Sequence, residues 1–305
     1  MLDTRARRKL GLLSFAERLG RFMLNRRGFE SRMVLTEAGP LHVYDGRGGG
    51  CLPTIVVLHG LGSSATSFGS LLKRMLPHAG RLVAPELPGH GSSGAPIGRL
   101  TPERLFAAVS QVLDELVAEP MILVGSSLGG ALALKYAVER PARVLALGLV
   151  SPAGARMTPG EWEAIMAAFE VRSAADARKL LARLYHRPPW YIPVIAPGLR
   201  DVLRGPAVRD ILSAATMEDL PAPEVLRELA MPILLIWGRS EHLLPASSLA
   251  YFRSHLPAHA VIEEPVGFGH CPHFDAPERL AERLIAFART ASATSRSSED
   301  AAVAL

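Results

Sequence analysis

Cysteine is nearly absent from this chain, with only Cys51 and Cys271 in 305 residues. Their separation suits neither a metal site nor a redox pair. A disulfide-built scaffold is therefore excluded, and a reducing compartment, the cytoplasm, is the expected location. Long apolar runs are missing as well. No stretch approaches the roughly 18 residues that a membrane-spanning helix needs. The apolar segment from Leu10 to Ala16 is interrupted by Gly11 and Ser14 and stopped by Glu17 and Arg18. No small-residue cleavage pattern follows, so this start does not read as a secretory leader. Internal repeats are lacking too.

The body of the chain carries no excess of positive charge. The formal net charge is +5, but residues 1–32 alone hold nine basic residues (Arg5, Arg7, Arg8, Lys9, Arg18, Arg21, Arg26, Arg27, Arg32) against Asp3, Glu17 and Glu30. That segment is +6, which leaves −1 for the remainder, so a nucleic-acid partner is not expected. Within it Leu12, Phe15, Ala16, Leu19, Phe22 and Met23 recur at helical spacing. A basic amphipathic helix over residues 1–30 has two readings. It lies in a membrane interface as a peripheral contact, arginines beside anionic headgroups, or it packs on its own domain.

What is present is 49% apolar content, enough at this length for one large core and one insertion. Strand-like and helical runs alternate, as a mostly parallel, doubly wound α/β sheet requires. Met33–Thr36 and Leu41–Tyr44 read as an antiparallel opening pair. Strands follow over Thr54–Leu58, Arg81–Pro85, Met121–Val124, Val144–Val150, Pro232–Trp237 and Ala260–Glu263, eight in all. Helices are expected near Ser67–Leu76, Pro102–Val117, after Ser127 and from Asp275. Between residues 152 and 230 the strand rhythm stops. Short helices over Glu161–Phe169, Ala174–Tyr185 and Val208–Ala215 suggest a helical cap inserted after the sixth strand, which divides the core into residues 31–151 and 231–290. Trp190, Tyr191 and Ile192, with Val194 and Ile195, supply either an apolar ceiling for a substrate or the cap's own small core. Residues 291–305, rich in Ser, Thr and Ala, read as a disordered tail.

The chemistry concentrates in Gly125-Ser126-Ser127-Leu128-Gly129, set between an apolar strand and a helix-like run. Ser127 falls on the sharp turn, and the amide of Leu128 opens a helix where an oxyanion can be held. The strand at Thr54–Leu58 ends in His59-Gly60-Leu61-Gly62, a flexible backbone whose Leu61 amide can point at the same oxyanion; His59 reads as a loop brace. His270, on a loop after the last strand, suits a general base. Glu241, after the strand ending at Trp237, suits the acid that orients it. Cys271 beside the base reads as a packed thiol.

The order of these pieces resembles the α/β-hydrolase family of serine hydrolases. Leu58-His59-Gly60-Leu61-Gly62, Glu86-Leu87-Pro88-Gly89-His90-Gly91, the Ser127 pentapeptide, Trp237-Gly238-Arg239-Ser240-Glu241 and Gly269-His270 all match over roughly residues 30–290. Ser151-Pro152-Ala153-Gly154 adds similarity to the monoacylglycerol lipase and carboxylesterase branch. The resemblance implies an α/β-hydrolase fold and hydrolysis of hydrophobic carboxylic esters through an acyl-enzyme, with no metal or organic cofactor. One departure is Glu241, where the family more often has Asp. Ser at 127 speaks against the dehalogenases and epoxide hydrolases, which use a carboxylate nucleophile. Cys271 stands where carbon–carbon bond hydrolases usually carry an aromatic, so that alternative, like a non-catalytic ligand-binding role, is secondary.

Overall fold

A computed structural model of the chain describes residues 12–303, with side chains from 13 to 294. Eight strands form one sheet: β1 Phe29–Thr36, β2 Gly39–Arg47, β3 Ile55–Leu58, β4 Arg81–Pro85, β5 Met121–Ser126, β6 Val144–Val150, β7 Ile233–Ile236 and β8 Val261–Glu263. Twelve α-helices accompany them among the described residues: α1 Leu12–Arg26, α2 Gly69–Met75, α3 Pro102–Leu116, α4 Leu128–Glu139, α5 Pro159–Phe169, α6 Ala174–Leu184, α7 Ile192–Leu203, α8 Pro206–Ala214, α9 Pro223–Arg227, α10 Ala246–His255, α11 Pro272–Asp275 and α12 Pro277–Val303.

The strand order is β1-β2-β4-β3-β5-β6-β7-β8, with β2 antiparallel to both neighbours and β4 to β8 parallel. The central strands are buried on both faces, which is why they read as unbroken apolar runs. Alternation then sorts their side chains. Met121 and Leu123 of β5 face the layer holding α3, α4 and α10, while Ile122 and Val124 face α2 and α12. The doubly wound arrangement puts the loops after β3, β5, β7 and β8 at the carboxyl end of the sheet, where such folds build their sites.

Several boundaries differ from the sequence expectation. The opening hairpin reaches Arg47 because Asp45, an unpromising strand residue, is clamped by Arg81 at 2.8 and 2.7 Å and by Arg32 at 3.1 Å. The insertion contains α7, which its prolines hide from a propensity reading. Pro193 sits in the first turn, where a missing N–H costs nothing. Asp275 does not open the C-terminal helix but closes the short α11. The expected disordered tail is also corrected: α12 continues through 291–303. Ala291 and Ser292 are buried, and Ser292 Oγ donates to Ala288 O at 2.7 Å. Residues 304–305 and 1–11, including Arg5, Arg7, Arg8 and Lys9, lie outside the described residues.

Candidate active site

Ser127 occupies a left-handed backbone conformation (φ 53°, ψ −120°) between β5 and α4. A non-glycine residue held there stores on the order of 1–3 kcal/mol, so the surroundings must impose it. They do so by close approach. A Cβ on Gly125 would lie 2.2 Å from Gly129 O, and one on Gly129 would lie 2.3 Å from Leu58 O. Only glycine at both positions lets α4 fold back against β5 and β3. The elbow is tied further by Ser127 N to Val150 O at 3.2 Å and by Ala153 N to Ser127 O at 3.0 Å. Leu128, the first residue of α4, has by helical geometry no intrahelical acceptor for its amide.

The loop after β3 passes the same point: a Cβ on Gly60 would meet Ser127 Cβ at 3.1 Å. His59 braces this loop, its Nδ1 at 2.9 Å from Gly60 O and its Nε2 accepting from Leu87 N at 3.0 Å. Glu86, fully buried, accepts from Ala65 N and Ser92 N and lies 3.2 Å from His42 Nδ1. It joins the loops after β3 and β4. Nothing in a bare sequence marks a glutamate as such a hub.

On the other side of the cavity, His270 and Glu241 are both buried. His270 Nδ1 meets Glu241 Oε2 at 2.7 Å. Glu241 Oε1 accepts from Leu243 N at 2.7 Å and Leu244 N at 3.0 Å. Burial pushes this carboxyl up, but the His270 imidazole and the two amides more than offset it and hold it below the usual carboxylate range. With Nδ1 engaged, the His270 nitrogen left for chemistry is Nε2. Burial drives the neighbouring Cys271 thiol far above its ordinary value, so it remains a protonated packing group.

Ser127 and His270 line one cavity of ≈ 340 Å³ together with Leu61. Its remaining wall is mostly apolar, from Leu180, Leu181 and Leu184 of α6, Tyr191 before α7, and Ile195, Leu199 and Leu203 on α7. Leu13, Ala16 and Glu17 of α1 complete the rim. The three residues expected from the insertion therefore part company. Tyr191 reaches the cavity, Ile192 is buried in the insertion's own core, and Trp190 is 87% exposed and does not line the cavity. Trp190 as a ceiling over Ser127 is corrected: it precedes α7 and faces solvent. The Leu128 side chain packs against the main core, leaving its amide as the part that concerns the elbow.

A second carboxylate, unforeseen from the sequence, fastens the insertion to the histidine loop. Asp275 accepts from Gly269 N at 2.8 Å and His186 N at 2.9 Å, and Cys271 N donates to Leu184 O at 2.9 Å. His186 Nδ1 also lies 2.7 Å from Ser240 Oγ, one residue before Glu241. Asp275→Ala leaves two part-buried amides without their acceptor, a loss of about 1–3 kcal/mol. The expected result is a lower Tm with a reduced kcat. A variant with wild-type turnover would show that the latch does not position His270.

Buried imidazoles contribute to the acid response of the fold. Burial lowers His90 to about 4 and His273 to about 3, the latter stacked on Phe68 at 3.9 Å; His270 and His59 add to the effect on His273. Unfolded, each would titrate near 6.5. Between these values the unfolded chain binds protons that the folded chain refuses, so stability falls as pH drops below about 6.5. The loss amounts to a few kcal/mol in order of magnitude. Thermal melts from neutral pH downward should show it before the carboxylates titrate. His273→Phe, which keeps the stacking, should flatten the slope.

Comparison with known proteins places this arrangement. A family model described as the alpha/beta hydrolase family matches residues 55–283, most of the chain. The mouse sn-1-specific diacylglycerol lipase ABHD11 is 37% identical over 145 residues, covering 44% of this chain and 46% of that enzyme. The chain thus spans less than half the length of such curated relatives. The pimeloyl-[acyl-carrier protein] methyl ester esterase of Yersinia enterocolitica is 25% identical over 262 residues, 77% of this chain and 93% of the other. Among solved structures, a membrane phospholipase A superposes with a TM-score of 0.73 over 92% of both chains at 24% identity, a likeness of fold. With the eight-stranded sheet and the elbow between β5 and α4, the matched span settles the family: this chain is a member of the α/β hydrolases.

Proposed function

We propose that the protein hydrolyses carboxylic esters with hydrophobic acyl groups, using Ser127 as nucleophile, His270 as general base and Glu241 as its orienting acid. The observation that carries this reading is the buried His270–Glu241 contact of 2.7 Å, made by a histidine that shares its cavity with a serine on a strained elbow. His270 Nε2 takes the proton as Ser127 Oγ attacks the ester carbonyl, and the amides of Leu61 and Leu128 receive the oxyanion. The same nitrogen returns the proton to the departing alkoxide. The acid is left esterified to Ser127, and water then repeats the cycle to release it. The relatives support ester chemistry in general: one is a diacylglycerol lipase, another a methyl ester esterase.

The insertion of residues 152–230 acts in this reading as a cap whose leucines receive the acyl chain, and Tyr191 is its substrate contact. No helix among the described residues is long and apolar enough to cross a membrane. Contact with lipid in this reading is peripheral, through the first thirty residues. The test is a graded panel of esters, from acetate to long acyl chains and monoacylglycerols. Turnover with an optimum beyond acetate supports the reading. No turnover on any ester, with carbon–carbon cleavage of a vinylogous diketone instead, would overturn it.

A further inference from the structure

Helix α1 is docked by one face only. Leu13 packs where a Cβ on Gly198 of α7 would lie 2.7 Å from it, Gly20 closes on Thr66 in the same way at 2.9 Å, and Leu24 is buried against the core. The opposite face carries Phe15, Leu19, Phe22 and Met23, at steps of four, three and one, all exposed; Phe15 is 60% and Phe22 57% accessible. A soluble helix that has already found its packing partner has no structural need for this second apolar stripe.

Two further facts say what covers it. The first is charge. Between residues 13 and 27 there are four arginines, Arg18, Arg21, Arg26 and Arg27, and one glutamate. None of these arginines has an ion-pair partner among the described residues, and Arg26 lies over the Phe22 ring at 5.9 Å. The second is position. The cavity rim is shared by Leu13, Ala16 and Glu17 of α1 and by Tyr191 and Ile195 at the start of α7. That same α7 end exposes Trp190, in edge contact with Tyr191 at 6.0 Å, and Val194. Apolar groups about 180 residues apart in the sequence thus meet at the entrance to the site. A second copy of the chain docked by this face would set the arginines of one α1 against those of the other, which like-charge repulsion opposes. An anionic lipid surface satisfies both the stripe and the charge.

We infer that α1 and the Trp190–Val194 end of the insertion form one lipid-docking surface, which seats the cavity mouth on anionic bilayers. Lipid esters then enter between α1 and α7 without crossing bulk water. The inference rests on the ester-hydrolase reading for its purpose but not for its test.

The test is co-sedimentation of the full chain with vesicles of phosphatidylcholine alone or mixed with phosphatidylglycerol. Binding should require the anionic lipid and weaken with added salt. The double change Phe15→Ser with Phe22→Ser should weaken partitioning by about tenfold or more. The variant should keep wild-type melting and wild-type hydrolysis of a water-soluble short ester, while turnover of vesicle-borne ester falls. Trp190 emission should shift to the blue on vesicles, a shift absent in Trp190→Phe. Unchanged partitioning of the double variant overturns the proposal. So does wild-type protein that stays in the supernatant, or one that forms dimers abolished by the same changes. If Ser127→Ala protein binds vesicles as wild type does while no ester is turned over by wild type, the docking surface stands and the ester reading fails.

Discussion

Ser127→Ala should lower kcat on the best ester of a panel by about 10⁶-fold while leaving the Tm almost unchanged. The size follows from the proposed role: with no Oγ that role leaves no acyl-enzyme, and what would remain is water attack assisted by the two amides. The unchanged stability follows from the backbone. Alanine has the same Cβ as serine, so the strain at φ 53° is neither relieved nor increased. Ser127→Gly is the informative companion. It should be equally inactive but more stable by about 1 kcal/mol, because glycine adopts this conformation without penalty. Retained turnover in either variant would move the nucleophile elsewhere. Ser126, one residue earlier and within β5, would then be the residue to examine. A fluorophosphonate probe should label wild type at Ser127 and neither variant.

The parts of the site that can be read from sequence are those whose cause is local. Gly125 and Gly129 bracket Ser127 because two backbones touch there, and a pattern of small residues between a strand and a helix records that contact directly. Strands buried on both faces announce themselves as apolar runs, so their spans and the loops at their carboxyl ends follow. Glu241 could be singled out because it stands on the loop that follows β7, and the structure brings it to His270 at 2.7 Å.

What stays hidden has causes distant in sequence. Asp275 acquires its role because Gly269 and His186 both bring an amide to it, and no spacing encodes that meeting. Trp190 reads as a ceiling by composition, yet its placement before α7 turns it outward. The apolar pattern of α1 is visible, but Leu13, Gly20 and Leu24 choose the docked face and Phe15, Leu19 and Phe22 are left over. The Ala-rich segment after 291 lacks a strong apolar stripe, and its continuation of α12 begins with Ala291 and Ser292 packed inside.

Glu241→Gln should cost about 10⁴-fold in kcat, second only to loss of the nucleophile. The carboxylate serves three donors: His270 on Oε2 and the Leu243 and Leu244 amides on Oε1. An amide side chain has one acceptor oxygen and one donor nitrogen, so either orientation creates a conflict. If its oxygen takes the two backbone amides, its NH₂ faces His270 and forces Nδ1 to accept. The proton then sits on Nε2, and the imidazole can no longer act as base toward Ser127. If the group is turned round, its NH₂ opposes two N–H donors in a buried site, at a cost of roughly 1–3 kcal/mol. Glu241→Asp keeps the charge but is one methylene shorter. It can reach the amides or the imidazole with good geometry, not both, and kcat should fall by an intermediate amount, about 10- to 100-fold. The distinguishing readout is the pH–rate profile beside calorimetry. Glu241→Asp should retain a wild-type acid limb at lower amplitude, whereas Glu241→Gln should lose the limb that reports the base. A Gln variant with the wild-type profile would mean that another carboxylate orients His270. Asp275, already committed to Gly269 and His186, could take that place only by releasing the loop that carries the histidine.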